Sequence, residues 1–151
     1  MESTLCYLER DGKYLMLNRN KKKSDINSGK WIGVGGKFLD GEKPFDCVKR
    51  EVFEETGLTL KSAKYRGVIK FVSDVCPTEY MHLFTSADFS GELNLDCNEG
   101  ELAWIDKDKI LSLNLWEGDK YFLALLDSEE RFFNMELVYN GDKLVSHKVE
   151  F

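Results

Sequence analysis

Three carboxylates in a short charged segment are spaced for binding a metal ion. Glu51, Glu54 and Glu55 occupy relative positions 0, +3 and +4 in the run REVFEE, residues 50–55. On an α-helix these positions share one face, with neighbouring Cβ atoms about 5–6 Å apart. Like charges so placed repel each other, whereas hard Mg²⁺ or Mn²⁺ prefers carboxylate oxygen and is often shared with phosphates. The segment therefore predicts a helix that holds a divalent cation against a phosphate chain.

Glycines and two further charged residues extend this segment into a fixed spacing pattern. Gly36 is followed by five residues and Glu42, then by seven residues and the run REVFEETGL, which ends at Leu58. The pattern matches the Nudix box at every defined position, and the chain resembles a catalytically complete Nudix hydrolase. A charged surface helix with a glycine cap would explain any single glutamate, but not the whole pattern.

The resemblance and the chemistry together suggest roles for the residues of the box. Glu51, Glu54 and Glu55 can supply the metal cluster, and a carboxylate beside the metal, Glu51 or Glu54, can orient or deprotonate water. By resemblance to the family, the main-chain carbonyl of Gly35 completes the inner shell. Arg50 is expected to support catalysis by orienting the glutamates.

Other charged residues are candidates for supporting roles around this centre. Glu42 is expected to act next to the ligands and not as one of them. The resemblance to MutT-like members implies a further carboxylate from outside the box, for which Glu99 is the first candidate and Glu101 the second. Lys37 and Arg19 are candidates for phosphate contact. The basic run Lys21, Lys22 and Lys23 is more simply a solvated loop.

Resemblance beyond the box points to one branch of the family. The run GKWIGVGGK, residues 115–119 and the closing hairpin resemble MutT-type oxidised-purine nucleoside triphosphate diphosphatases, which release a nucleoside monophosphate and pyrophosphate. This resemblance implies a base pocket containing Trp116 and Asp119, with Phe71 and Phe122 at aromatic positions. A tryptophan face can stack on a purine while a carboxylate reads its edge.

Two positions depart from the mammalian form of this pocket. Ile32 replaces an asparagine and cannot make its side-chain hydrogen bonds. Gly118 replaces a second aspartate. Purine recognition is therefore expected to use backbone groups, or the preferred base differs.

Composition limits the class of protein. The 151 residues are 42% hydrophobic, and no run of about 18 apolar residues is present, so one domain spanning residues 1–151 is expected. The N-terminus lacks signal-peptide features, and the four cysteines are widely spaced, which favours a cytoplasmic location. A net charge of −6 argues against binding a nucleic acid polymer. We expect a nucleotide substrate, Mg²⁺ or Mn²⁺ as cofactor, no membrane partner, and a monomer or homodimer.

The elements that must position these residues alternate between strands and helices. Strands are expected at 4–9, 13–18, 64–75, 79–87, 101–105, 131–139 and 143–150, with short ones at 31–38, broken by glycines, and near 91–95. The turn pairs Asp11-Gly12 and Asn140-Gly141 predict two hairpins. Helices are expected from Pro44 to Gly57, over 106–111 with Asp106 as its cap, and over 118–127. The fold class is α+β, and the Nudix resemblance implies a mixed sheet sandwiched between helices. Both histidines, His82 and His147, are expected in packing or at the surface.

Two alternative functions stay open at this stage. The first is hydrolysis of a nucleoside diphosphate derivative such as ADP-ribose. Members of that kind often carry a proline 15 or 16 residues past the box, where this chain has Ser73 and Asp74, and the diadenosine-type tyrosine is also missing. The second is a Nudix-fold binding module without turnover, although such modules usually lose box glutamates that are present here.

Overall fold

The computed structural model describes residues 1–20, 29–94 and 100–151. In this part of the chain there are eight strands, two α-helices and one 3₁₀ helix. The strands are β1 (Glu2–Arg10), β2 (Lys13–Asn18), β3 (Trp31–Ile32), β4 (Thr59–Ser73), β5 (Glu79–Ser90), β6 (Glu101–Asp106), β7 (Phe133–Asn140) and β8 (Lys143–Glu150). The helices are α1 (Pro44–Thr56), α2 (Asp119–Ser128) and the 3₁₀ helix Lys107–Ser112.

The sheet is mixed, as expected for the fold class. Strands are hydrogen-bonded in the order β3-β2-β1-β5-β4-β7-β8. Strand β6 lies outside this order and also pairs with β2. The pairs β1–β5 and β4–β7 are parallel, while β4–β5 and β7–β8 are antiparallel. The first strand therefore lies in the middle of the sheet, beside the loop that leads into α1.

Each face of the sheet is covered by a different helix. On one face, Val48 and Val52 of α1 pack with Leu8, Leu60 and Phe84 from the strands, and all five are buried. On the other face, buried residues of α2 and the 3₁₀ helix pack against the remaining strand side chains, which include Tyr7, Ile69, Phe133 and Leu137. Helices on both faces give the expected sandwich.

Helix α1 begins and ends at the residues that the sequence indicates. Pro44 stands at its first position, where the missing N–H costs no hydrogen bond. Gly57 ends it with φ +80° and donates its N–H to the carbonyl of Phe53 at 2.9 Å. Only glycine adopts this left-handed conformation routinely, so the helix stops there and β4 begins two residues later.

Several element boundaries differ from the sequence expectation. Strand β4 starts at Thr59, five residues before the predicted Lys64, because three register shifts against β5 disturb the alternation that marks a strand. The described part of the segment near 91–95 is not a strand, and Asn94 donates its N–H to the carbonyl of Thr56 instead. Asp106 makes no side-chain capping bond and pairs with Lys109 at 3.7 Å.

Both predicted hairpins are present. The β1–β2 turn has positive φ at Asp11 and Gly12, as a two-residue hairpin loop of the primed type requires. The β7–β8 turn lies at 141–142, one residue later than the Asn140-Gly141 pair suggested, with φ +63° at Gly141.

None of the helices in the described ranges is long and apolar enough to cross a membrane.

Replacing Gly57 with alanine should lower the free energy of unfolding by about 1–2 kcal/mol, because a side chain disfavours the left-handed conformation. The added Cβ would also lie 3.1 Å from the carbonyl oxygen of Glu92. Gly41→Ala is the matched control, since Gly41 has φ +74° but no atom within 4 Å of the added Cβ. Urea denaturation should show the larger loss for Gly57→Ala, and an equal or smaller loss would contradict the packing at this helix end.

Candidate functional site

A cleft of about 710 Å³ lies between residues 33–36, here called the glycine loop, and the N-terminal end of α2. It is lined by residues from β1, β3, β4, β5 and both helices. Many of the residues predicted from sequence line this one cleft: Arg19, Ile32, Gly35, Lys37, Glu51, Glu55, Phe71, Trp116 and Asp119. The fold therefore brings together residues from six separate parts of the chain.

Arg50 is the centre of the charged network on α1. Its Nη1 donates to Glu51 Oε1 at 2.7 Å and to Glu54 Oε2 at 3.2 Å. Its Nε and Nη2 bind the two carboxylate oxygens of Glu42, each at 2.9 Å, in the two-pronged geometry that suits a guanidinium. Nη2 also donates to the carbonyl of Lys37 at 3.1 Å. One cation thus connects the glycine loop to three carboxylates.

Glu42 is held by hydrogen bonds within this network and does not line the cleft. Its Oε1 also accepts the backbone N–H of Leu39 at 2.9 Å. The hydrogen bonds from Arg50, and after them the one from Leu39, lower the pKa of the Glu42 carboxyl to about 2. Glu42 therefore stays ionised near neutral pH and anchors Arg50, which agrees with the supporting role expected from sequence.

The glycine loop lies against α1 at a distance that only glycine permits. A Cβ at Gly36 would lie 2.5 Å from Cδ and Oε2 of Glu51. A Cβ at Gly35 would lie 2.0 Å from the carbonyl oxygen of Thr4 in β1. The missing side chains let the backbone of the loop contact both the strand and the carboxylate.

The donor atoms at this end of the cleft are chemically suited to a hard divalent cation. Glu51, Glu55 and Gly35 all line the cleft, so carboxylate and main-chain oxygens are the donor types available there. Glu54 lies outside the lining, and 56% of its side chain is exposed. Within 1–20, 29–94 and 100–151, no group of three or more His, Cys, Asp or Glu side chains is arranged to hold a metal.

The expected cluster of three carboxylates is therefore not assembled among the described residues. The physical reason is Arg50, which draws Glu51 and Glu54 toward its guanidinium and neutralises charge that a cation would otherwise neutralise. A metal bound at Glu51 would have to share that carboxylate with Arg50. Arg50 itself is held on Glu42, so it can stay in place when Glu51 turns to a metal.

The opposite end of the cleft is apolar except for one acid. Ile32, Phe71 and Trp116 line it together with Asp119, the first residue of α2. Asp119 is only 6% exposed, and burial raises the pKa of its carboxyl to about 7, against the opposing effect of the Lys30 ammonium. Among the described residues none hydrogen-bonds to this carboxyl group. It is thus a buried polar group that faces the cleft.

Trp116 is more enclosed than a stacking platform for a base would be. It is 6% exposed and packs edge-on against Tyr139 and Phe71, with ring centroids 5.5 and 6.3 Å away. The ammonium of Lys30 lies 5.3 Å from its ring centroid. Trp116 therefore forms part of the wall, while Phe71 is less deeply buried.

One predicted substrate contact is wrong, and other residues considered from the sequence lie outside the described ranges. Phe122 is fully buried, packs 6.3 Å from the Tyr7 ring in the core and does not line the cleft, because it faces the sheet from the inner side of α2. Glu99 and the lysines at 21–23 fall in the ranges that are not described. Glu101 is at the surface, where its Oε1 accepts a hydrogen bond from Asn20 at 3.2 Å.

Two residues that no sequence pattern indicates also hold parts of the site in place. Tyr139 of β7 accepts the N–H of Gly118 at 2.7 Å, immediately before Asp119. Thr4 of β1 donates through its backbone N–H to the carbonyl of Gly36 at 2.8 Å. Tyr139 lies in an alternating strand and Thr4 in a continuously buried one, so no spacing signal distinguishes either residue. His82 and His147 have packing roles, as predicted: His82 bonds to Glu2 and Tyr65, and His147 stacks on Tyr121.

Comparisons with known proteins agree with the fold. The family model for the NUDIX domain matches residues 2–126. The oxidized purine nucleoside triphosphate hydrolase of Danio rerio is 32% identical over 149 residues, which cover 97% of this chain and 92% of the relative. The protein of the same name from Mus musculus is 32% identical over 130 residues, covering 85% and 82%. The MutT protein of Bacillus halodurans superposes with a TM-score of 0.88 at 27% identity, covering 99% and 97%.

The fold, the glycine loop and the glutamate-bearing helix define an enzyme that acts on phosphoanhydride bonds. The chain belongs to the Nudix family and is a hydrolase of the MutT type. Nudix hydrolases generally use divalent metal ions.

Gly36→Ala should reduce the catalytic rate by about 10- to 100-fold, because the new Cβ displaces the Glu51 carboxylate. The free energy of unfolding should change by less than about 1 kcal/mol, since a terminal carboxylate moves at little cost. Steady-state kinetics and urea denaturation on the same preparation measure the two effects. A rate close to that of the wild type would show that the position of Glu51 is not critical.

Proposed function

We propose that this protein is a nucleoside triphosphate diphosphatase that cleaves its substrate to a nucleoside monophosphate and pyrophosphate. The observation that carries the proposal is a single cleft with two chemically different ends. Carboxylate and carbonyl oxygens suited to a metal lie at one end, and a buried acid among apolar side chains lies at the other. The two relatives that are 32% identical carry the name of oxidized purine nucleoside triphosphate hydrolases, which supports the same substrate class.

At the metal end, we assign Glu51, Glu55 and the carbonyl of Gly35 as ligands of Mg²⁺, with Mn²⁺ as an alternative. A bound divalent ion supplies charge neutralisation for the phosphates and lowers the pKa of water. Glu54 is assigned to metal binding or to water activation, because it lies next to Glu55 and about one helical turn from Glu51, where Arg50 binds it. Glu99 is kept as a further candidate ligand.

Arg19 and Lys37 are assigned to the phosphate chain. Both line the cleft, and Lys37 directly follows the glycine loop. The protein has a net charge of −6, so local cations and the metal must neutralise a triphosphate. Arg50 is assigned a positioning role, because its guanidinium is already hydrogen-bonded to Glu42, Glu51 and Glu54.

At the base end, Phe71 and Trp116 are assigned as apolar walls and Asp119 as the group that reads the base. A buried carboxyl that receives no hydrogen bond from the described residues is costly, and N–H donors on the edge of a purine would satisfy it. Ile32 contributes contact area and, in line with its side chain, no hydrogen bond. An oxidised purine such as 8-oxoguanine presents such donors, so 8-oxo-dGTP is the proposed substrate.

Further parts of the proposal concern the protein as a whole. We propose that residues 1–151 form a single Nudix domain, supported by strands on both sides of the box that join one sheet. Cys6, Cys47 and Cys76 are free thiols, which supports action in the reducing cytoplasm. We propose a nucleotide as the only required partner, with no nucleic acid polymer or membrane, in a monomer or homodimer.

The direct test is incubation of the protein and Mg²⁺ with a panel that contains 8-oxo-dGTP, dGTP, dATP, ADP-ribose and a diadenosine polyphosphate. Identification of products by chromatography distinguishes monophosphate plus pyrophosphate from other cleavage patterns. The proposal requires hydrolysis of triphosphates with release of pyrophosphate. Preferential cleavage of ADP-ribose, or release of orthophosphate from triphosphates, would contradict it.

Glu51→Gln and Glu54→Gln should each lower turnover by at least about 10²-fold, because each removes a negative charge at the metal end without changing core volume. Glu130→Gln, on an exposed site beyond α2, is the matched control and should leave turnover unchanged. Steady-state kinetics with Mg²⁺ in excess measures the effect. Near-normal turnover of either box variant would remove that glutamate from the mechanism.

Asp119 should impose a pH dependence on substrate use, because its pKa is raised to about 7 by burial. With this pKa, the carboxyl is mostly neutral below pH 7. Above pH 7 it is an ionised carboxylate, and both of its oxygens accept hydrogen bonds. The ratio of kcat/KM between the wild type and Asp119→Asn should therefore increase from pH 6 to pH 7 and level off by pH 8. A ratio that is constant over this range would show that the ionisation of Asp119 is not used.

A further inference from the structure

Two buried, uncharged polar side chains contact the backbone of the glycine loop. Thr4 of β1 is 3% exposed and Cys47 of α1 is fully buried. Neither belongs to the fixed positions of the box, and neither is a carboxylate. Thr4 lines the cleft, whereas Cys47 does not. Their hydroxyl and thiol groups lie 3.5 Å apart, in the interface between the central strand and the helix that carries the glutamates.

Both side chains converge on one backbone atom, the carbonyl oxygen of Gly36. The Thr4 hydroxyl donates to it at 3.4 Å and the Cys47 thiol at 3.6 Å, in addition to the backbone N–H of Thr4 at 2.8 Å. The thiol also accepts a hydrogen bond from Arg50 Nη2 at 3.8 Å. A chain of contacts therefore runs from Arg50 through Cys47 to the loop.

Contacts from side chains outside the loop matter because two of its own residues are glycines. Gly35 and Gly36 have no side chains, so their peptide planes rotate more easily than those of other residues. The carbonyl of Gly36 is one peptide away from the carbonyl of Gly35, which is assigned to the metal. Donors that fix the Gly36 carbonyl therefore limit the directions in which the Gly35 carbonyl can point.

We infer that Thr4 and Cys47 are positioning residues that hold the Gly35-Gly36 backbone at the correct distance and orientation to Glu51 for binding a divalent cation. The inference rests on the proposed metal site and adds two residues to it. Burial keeps the Cys47 thiol protonated at neutral pH, because it raises the pKa to about 11, so the S–H remains available as a donor. A side chain that fills the same space without a donor should leave the loop less restrained.

The test compares pairs of variants that differ in the donor and not in the fold. Thr4→Val and Cys47→Ala remove the donors, whereas Thr4→Ser and Cys47→Ser keep them. Mn²⁺ binding is measured on the full chain by electron paramagnetic resonance of the free ion, with no substrate present. The donor-free variants should bind Mn²⁺ about five- to tenfold more weakly, and the serine variants should lie within about twofold of the wild type.

Cys6→Ala controls for the loss of volume that accompanies Cys47→Ala. Cys6 is also fully buried on the α1 side of the sheet, but its side chain has no hydrogen bond to the glycine loop. This variant should bind Mn²⁺ like the wild type, although it leaves a cavity of the same size. Equal weakening by Cys6→Ala, or wild-type affinity in both Thr4→Val and Cys47→Ala, would overturn the inference.

Turnover of nucleotides separates this inference from the proposed function. If the wild type binds Mn²⁺ but hydrolyses no nucleoside triphosphate, the substrate proposal fails, and the Mn²⁺ affinities of the variants still decide the roles of Thr4 and Cys47. If triphosphates are hydrolysed and the donor-free variants lose affinity while the serine variants keep it, both proposals are supported. A wild type that binds no Mn²⁺ overturns the positioning role together with the metal site.

Discussion

The repulsion among carboxylates on one face of α1 is the constraint on which the site depends. Three glutamates within two turns of a helix are unfavourable unless a cation lies among them. In this structure the cation is Arg50, which binds Glu42, Glu51 and Glu54 at 2.7–3.2 Å. The two bonds to Glu42 hold Arg50 in place independently of Glu51 and Glu54.

The rest of the fold determines where this charged face points. Burial of Val48 and Val52 against the sheet fixes the rotation of α1, and the central position of β1 places Thr4 beneath the glycine loop. On the other face of the sheet, the position of α2 brings Asp119 to the far end of the same cleft. A parallel β1–β5 pair and a parallel β4–β7 pair are needed to bring these parts together.

The sequence predicts much of this arrangement because local rules apply to it. Pro44 and Gly57 mark the ends of α1, the two turn sequences mark the hairpins, and the box spacing identifies the glutamate face. The sequence could not predict features that depend on tertiary packing. The bulges that extend β4 back to Thr59, the burial of Phe122 in the core and the contacts of Thr4 and Tyr139 all arise from neighbours distant in the chain. The charge balance between Arg50 and its three glutamates is likewise a property of the folded network.

The claim most open to a direct test is that the acids of α1 and the glycine loop share a divalent cation. Anomalous diffraction from crystals of the protein grown with Mn²⁺ would locate the ion without reference to activity. The account predicts a peak bounded by the carboxylates of Glu51 and Glu55 and the carbonyl of Gly35, with Arg50 still bound to Glu42. A peak elsewhere in the molecule, or an Arg50 guanidinium still holding Glu51 with no ion beside it at saturating Mn²⁺, would contradict it.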